Sequence, residues 1–268
     1  MYVAVIIIVG IVLIYILALK GRTTNKNTKK FLNVRYAHRG LHQKPTIPEN
    51  SMAAFKAAVD KGYGIELDVH LMSDGNLAVI HDSSLKRTVG VDISIEELTA
   101  HDLKKFTLEE SGEMIPLFDD VLKMVDGRVP LLVEIKTAGN IAKVTEKVVE
   151  KLKDYKGDYC IESFDPRCIL WLKKNAPDVV RGQLTQDFIK EKANLSLFTR
   201  VLLTPLVLNF VNRPDFIALK FSDRHELQFK IAKNIWKTPL FVWTVDQKEI
   251  AEILEKQGYT LIFEKFEF

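Results

Sequence analysis

The chain has 268 residues, 47% of them apolar, which suits one sizeable core and a single domain. Its formal charge is +3, but residues 1–30 hold five cations (Lys20, Arg22, Lys26, Lys29, Lys30) and no acid, leaving 33 basic against 35 acidic side chains, so a nucleic-acid binder is not indicated. Two cysteines, Cys160 and Cys168, show neither metal-type spacing nor a pairing framework, which argues against a disulfide-built fold.

Tyr2 to Leu19 is an unbroken charge-free run and predicts a transmembrane helix over residues 1–20. A cleaved signal peptide is the weaker alternative, because the start is not basic and Ile16-Leu17-Ala18-Leu19-Lys20 makes a poor cleavage site. Cations lie only on the carboxyl-terminal flank, which predicts a single-pass membrane protein with its globular part in the cytoplasm. Residues 21–32 read as a basic, flexible linker suited to anionic headgroups.

Residues 33–268 alternate short β-rich runs with amphipathic segments, the pattern of β-α units around a parallel sheet. Eight strands are expected near 33–38, 64–69, 131–136, 158–163, 179–184, 215–220, 239–245 and 259–263. Asn76 to His81 follows a Ser73-Asp74-Gly75 turn too short for a parallel crossover, so it reads as an antiparallel excursion from the second strand. A helix starts after Pro48-Glu49-Asn50-Ser51 with Asn50 or Ser51 as its cap, buries Phe55, Ala58 and Val59, and ends at Gly62. Further helices are predicted over Ile95–Phe106 and Leu117–Val125.

Glu66 and Asp68, two apart on a strand, project from one face. Glu134 and Lys136 repeat the pattern on another strand. Carboxylates gathered in a barrel mouth need neutralising, by a hard divalent cation such as Mg²⁺ or Ca²⁺, or by Lys136 in a purely structural ion-pair network. His38 closes the first strand and His81 the excursion; imidazoles there suit proton transfer at neutral pH, although either ring taken alone is more often a surface or packing residue. Arg39 suits bidentate contact with phosphate, and Gly40 permits close backbone approach. His42, His101 and His225 have no recommending context, while His70 follows Asp68 by two positions and shares its face.

The order His38-Arg39-Gly40, Pro48-Glu49-Asn50-Ser51, Glu66-Leu67-Asp68, Ser73-Asp74-Gly75, His81-Asp82, Glu134-Ile135-Lys136, Ser163-Phe164 and Trp243-Thr244-Val245 resembles the glycerophosphodiester phosphodiesterase family over about residues 34–246. The resemblance implies a TIM-type (β/α)8 barrel, here with the N-terminal transmembrane helix added. It implies one divalent cation, Mg²⁺ or Ca²⁺, on Glu66, Asp68 and Glu134. His38 and His81 would be the acid-base pair, Arg39 and Lys136 phosphate contacts, and Phe164 and Trp243 pocket walls. The expected reaction is hydrolysis of a glycerophosphodiester to a glycerol phosphate and an alcohol, by water or by the neighbouring 2-hydroxyl. A phospholipase C- or D-type enzyme acting on lysolipids or lipid-linked diesters is one alternative, and a catalytically silent, membrane-anchored phosphodiester-binding module is another.

Two segments depart from the family pattern. The chain ends Gly258-Tyr259-Thr260-Leu261-Ile262-Phe263-Glu264 and stops at Phe268, which predicts a last strand without a covering helix and without the family's acidic group. Leu195 to Val211 is strongly apolar and reads either as a core-packing helix pair or as a greasy rim touching the bilayer or a substrate acyl chain.

Overall fold

A computed structural model describes residues 2–22, 24–109 and 111–268. Eight parallel strands close a barrel: β1 (Arg35–Ala37), β2 (Gly64–Leu71), β4 (Leu131–Ile135), β5 (Tyr159–Ser163), β6 (Val180–Thr185), β7 (Phe216–Lys220), β8 (Leu240–Val245) and β9 (Thr260–Phe263). β1 pairs with both β2 and β9, so the ring has no open seam. β3 (Leu77–Val79) lies antiparallel on β2, the excursion expected from the short turn. The fold is α/β and TIM-type.

The interior is built from alternate strand positions. Tyr36, Leu132, Cys160, Phe216, Phe241 and Ile262 fill it, with Phe216 and Phe241 stacked at 4.2 Å. Gly182 is required beside them, because a Cβ there would sit 2.1 Å from the Phe216 ring. The opposite positions, such as Ile65, Leu67 and Val133, face the helices α2 (Met52–Asp60), α3 (Phe118–Val125), α4 (Ile141–Leu152), α5 (Pro166–Asn175), α8 (Leu227–Asn234) and α9 (Lys248–Lys256). Ser51 caps α2 by accepting from the Ala54 amide at 3.1 Å, and Gly62 follows its end with φ +72°. Both cysteines are free and buried.

Three expectations are corrected. The first helix, α1, covers Tyr2–Ala18, 17 residues or roughly 25 Å at 1.5 Å per residue. Among the described residues, no helix is long and apolar enough to cross a membrane. The end of the expected span belongs to the barrel instead: Leu19 is fully buried, Trp236 donates to the Ile16 carbonyl, and Arg213 donates to the Lys20 carbonyl. The following residues are likewise docked. Arg22 forks onto Asp215, Lys30 pairs with Asp158, and Phe31, at the end of a 3₁₀ turn over Lys26–Phe31, packs with the interior aromatics.

The expected helix over 95–106 is two 3₁₀ turns, Ile95–Glu97 and Asp102–Lys105. Glu96 is drawn away to His70, Ser83 and Ser94, and Asp102 binds back to Thr99, so the segment bends between them. Its apolar residues Ile95 and Leu103 form a separate small core with Ile80, Leu85, Leu108 and Ile115. Leu195 to Val211 forms two short helices, α6 (Leu197–Leu203) and α7 (Asn209–Asn212). Leu206 is buried, whereas Leu197, Phe198, Val201 and Phe210 are exposed.

Among the described residues no helix follows β9, and the segment after it packs on the barrel. Phe266 and Phe268 pack on Phe263 and Tyr63, and Arg35 stacks over Phe268.

Candidate active site

The strand ends converge. Register places Asp68 beside Glu134 and Glu134 beside Glu162, so β2, β4 and β5 each turn a carboxylate into the same level of the barrel. Oxygens of Glu66, Asp68 and Glu134 all lie within 4.8 Å of one another, and all three side chains are buried. Lys136 reaches Glu134 at 2.6 Å and Asp68 at 2.8 Å, and Arg39 Nε lies 3.4 Å from Asp68.

Charge is unevenly balanced here. Burial, Asp68 and Glu134 push the Glu66 carboxyl well above its ordinary range. Asp68 goes the other way despite its burial, because Lys136 and Arg39 hold it ionised. Burial raises Glu134 to about 7, with Lys136 opposing. Lys136 is raised in spite of burial by the same two acids. Two cations thus face four buried carboxylates, Glu66, Asp68, Glu134 and Glu162. A divalent cation would supply the positive charge that keeps these carboxylates ionised, and close-set carboxylate oxygens are its preferred donors, so the residues fit such an ion.

The turn after β1 is shaped by two left-handed residues, Arg39 (φ +55°) and Gly40 (φ +78°). A Cβ on Gly40 would meet Ala54 at 2.8 Å, so only glycine lets the turn seat on α2. The turn aims the Arg39 amide at Glu66 (2.8 Å). Asn50 donates to Asp68 at 2.8 Å rather than capping α2.

His38 and His81 line one narrow cavity with Glu66, Glu134, Glu162, Phe164 and Trp243. His38 Nδ1 meets Glu264 at 2.9 Å, and His81 Nδ1 meets Asp82 at 2.6 Å. An ionised carboxylate only accepts, so in the neutral ring each Nδ1 is the donor and each Nε2 is left as the basic nitrogen. Burial lowers the pKa of His38 and pushes His81 down to about 4. Phe164 and Trp243 meet edge-to-face at 5.7 Å.

The structure therefore gathers every sequence-predicted site residue: His38, His81, Arg39, Glu66, Asp68, Glu134, Lys136, Phe164 and Trp243. The acidic group expected to be missing after the last strand is present as Glu264, which also lies 3.7 Å from His42. Sequence reasoning also passed over Glu162, which is only 1% exposed, has an unpartnered Oε2, and is held well above its ordinary range by burial and by Glu134 and Glu66. Its signal was legible, since Glu162 stands on β5 where Glu134 stands on β4. His70 lies against Glu96 and the His81 carbonyl, bracing the excursion.

The sequence pattern described as Glycerophosphoryl diester phosphodiesterase family matches residues 38–264. The chain belongs to the glycerophosphodiester phosphodiesterase family. A family member from Caldanaerobacter subterraneus, a glycerophosphodiester phosphodiesterase, is 33% identical over 235 residues, 83% of this chain and 89% of its own length. Lysophospholipase D GDPD1 of Rattus norvegicus is 30% identical over 147 residues, 50% of this chain and 45% of its own. A solved Oleispira antarctica phosphodiesterase in complex with the product sn-glycerol-3-phosphate shares the fold, with TM-score 0.72 at 22% identity, covering 88% of this chain and 94% of that one. This glycerophosphodiester phosphodiesterase family member is a phosphoric diester hydrolase.

Proposed function

We propose that the protein hydrolyses glycerophosphodiesters to a glycerol phosphate and an alcohol, with His38 and His81 as the proton-transfer pair and Glu66, Asp68 and Glu134 holding one divalent cation, Mg²⁺ or Ca²⁺. The observation that carries this reading is a single cavity lined by two imidazoles, each with its Nδ1 on a carboxylate, next to a buried surplus of carboxylate charge. The bound cation would polarise a phosphoryl oxygen and ease deprotonation of the attacking hydroxyl.

The chain's own residues do the rest. Arg39 and Lys136 bring positive charge to the phosphate. One neutral ring takes the proton of the attacking hydroxyl at Nε2, and the imidazolium formed is stabilised by Glu264 or Asp82. The other ring must enter the cycle as the imidazolium, protonated at Nε2 and stabilised by its own carboxylate partner, and delivers that Nε2 proton to the departing alkoxide. Phe164 and Trp243 pack on the organic part of the substrate. The family relative from C. subterraneus and the glycerol phosphate complex of the O. antarctica enzyme support this substrate class.

The test is turnover of the full chain on a panel of glycerophosphodiesters, with products identified, in Mg²⁺, Ca²⁺ or excess chelator. Turnover should require the cation and fall by roughly 10² to 10⁴ in His38→Ala and His81→Ala, and Glu66→Ala should lose the cation response. Full activity in all three variants, or in chelator, would overturn the reading.

A second reading, a lysolipid as substrate at a lipid surface, is favoured by apolar side chains at the cavity wall and after it in the chain. Phe188 meets Phe164 edge-on at 6.1 Å, and Ile189, Leu197 and Phe198, further along the chain, are exposed. Exposed apolar residues of α1 add a surface that would contact lipid, and the rat lysophospholipase D relative supports the substrate class. Phe198→Glu should then impair turnover of lysolipid in vesicles and spare glycerophosphocholine, whereas equal loss on both would count against it.

A further inference from the structure

Arg87 lies outside every motif and outside the cavity, in the excursion that carries the small second core. Its guanidinium nevertheless spans the partners of two site residues. Nε donates to Asp82 Oδ2 at 2.5 Å, and Nη2 donates to Glu49 Oε1 at 2.6 Å. Asp82, through its other oxygen, holds His81 Nδ1 at 2.6 Å. Glu49, through the same Oε1, accepts from Arg39 Nη1 at 2.8 Å, and Lys44 pairs with its Oε2 at 2.5 Å. The line His81, Asp82, Arg87, Glu49, Arg39 therefore runs through five side chains without a gap.

Each end of this line is anchored in a different part of the molecule. Arg87 sits on a turn closed by the Val89 amide on the Leu85 carbonyl at 2.8 Å, and Leu85 is fully buried in the small core. Glu49 is buried at the start of the α2 turn beside the barrel. Nothing else in the hydrogen-bond pattern links Asp82 to Glu49 side chain to side chain among the described residues. A planar guanidinium is suited to hold two carboxylates at a fixed separation, which a lysine ammonium cannot do in the same geometry.

We infer that Arg87 is a positioning residue that sets His81 against Arg39, so that the proton-transfer ring and the phosphate-holding guanidinium are registered to each other through the excursion. The inference rests on the roles proposed above for His81 and Arg39. Arg87 itself touches neither the substrate site nor the three clustered carboxylates.

The experiment compares kcat and KM on one glycerophosphodiester for wild type, R87A, R87K, D82N, the R87A/D82N double variant and H81A, with a thermal melt of each. R87A should lose roughly 10- to 100-fold, the usual cost of removing a group that orients a site residue. The loss should fall mainly on kcat, with a melt close to wild type. R87K should recover little, added guanidinium should restore part of the R87A rate, and R87A should cost much less in the D82N background than alone. Wild-type kcat in R87A, an undiminished loss in the D82N background, or a loss that follows the melt and ignores guanidinium would each overturn the inference while leaving the function intact if H81A is inactive. Full activity in H81A would overturn the proposed function and this inference together.

Discussion

His38 and His81 face one cavity, yet they are held by different kinds of structure. His38 leaves β1 where the barrel closes: its amide binds the Phe263 carbonyl at 2.9 Å, and its ring meets Glu264, 226 residues away in the chain. Glu264 is in turn fixed by its own amide on the Val245 carbonyl. His81 hangs from the edge of β2 on the antiparallel excursion, and its carboxylate partner is its immediate neighbour, Asp82. One ring is therefore placed by closure of the whole sheet, and the other by a local element with a small core of its own. One side of the site is thus set by closure of the barrel and the other by the excursion.

The largest break in that comparison should come from the small core. Leu103→Ala removes a buried side chain there and should destabilise the excursion by about 2–5 kcal/mol. Hydrogen exchange should then quicken at amides near Ala78 to Asp82 while those of β1 and β9 keep their protection. Equal loss at both would mean that the two regions unfold as one.

A smaller effect is expected on the barrel side. Glu264→Gln keeps the shape of the contact to His38 but removes its charge, and kcat should fall roughly 10- to 100-fold with an unchanged melt. An unaffected kcat would show that His38 needs no anionic partner.

The smallest effect is a slope. Arg87, Arg39 and Lys44 outweigh burial and hold Glu49 far below its ordinary range. The unfolded chain therefore binds this proton first. The stability Glu49 contributes is fully present above the ordinary pKa of about 4.3 and is lost as pH falls below it. Urea midpoints between neutral pH and pH 3 should drop more steeply for wild type than for E49Q, and parallel curves would remove Glu49 from the linkage.

The contrast between the two rings also explains what could be read beforehand. His81-Asp82 is adjacent in sequence, so its pairing was visible as a motif. Glu264 pairs with a residue at the other end of the chain, so no local pattern marks it as the partner of His38. Glu66 and Asp68 were legible because strand periodicity puts alternate residues on one face, and Glu162 was open to the same argument. Arg87 offered no periodic or motif signal at all. Composition alone cannot show that the end of the amino-terminal run is docked, with Trp236 donating to the Ile16 carbonyl and Leu19 buried; the helix covers 17 residues. Likewise, three of its five flanking cations have partners within the fold: Lys20 over Trp236, Arg22 on Asp215 and Lys30 on Asp158.

By itself, the sequence determined the order and spacing of the β-α units, the chemical types at the strand ends and the family to which they belong, because these follow from local periodicity and short motifs. Only the tertiary structure decided which carboxylate holds which imidazole, how the terminal strand completes the ring, and that an arginine of the excursion joins His81 to Arg39. Those contacts link residues distant in the chain, and their partners are selected by barrel closure and burial, which no local pattern encodes.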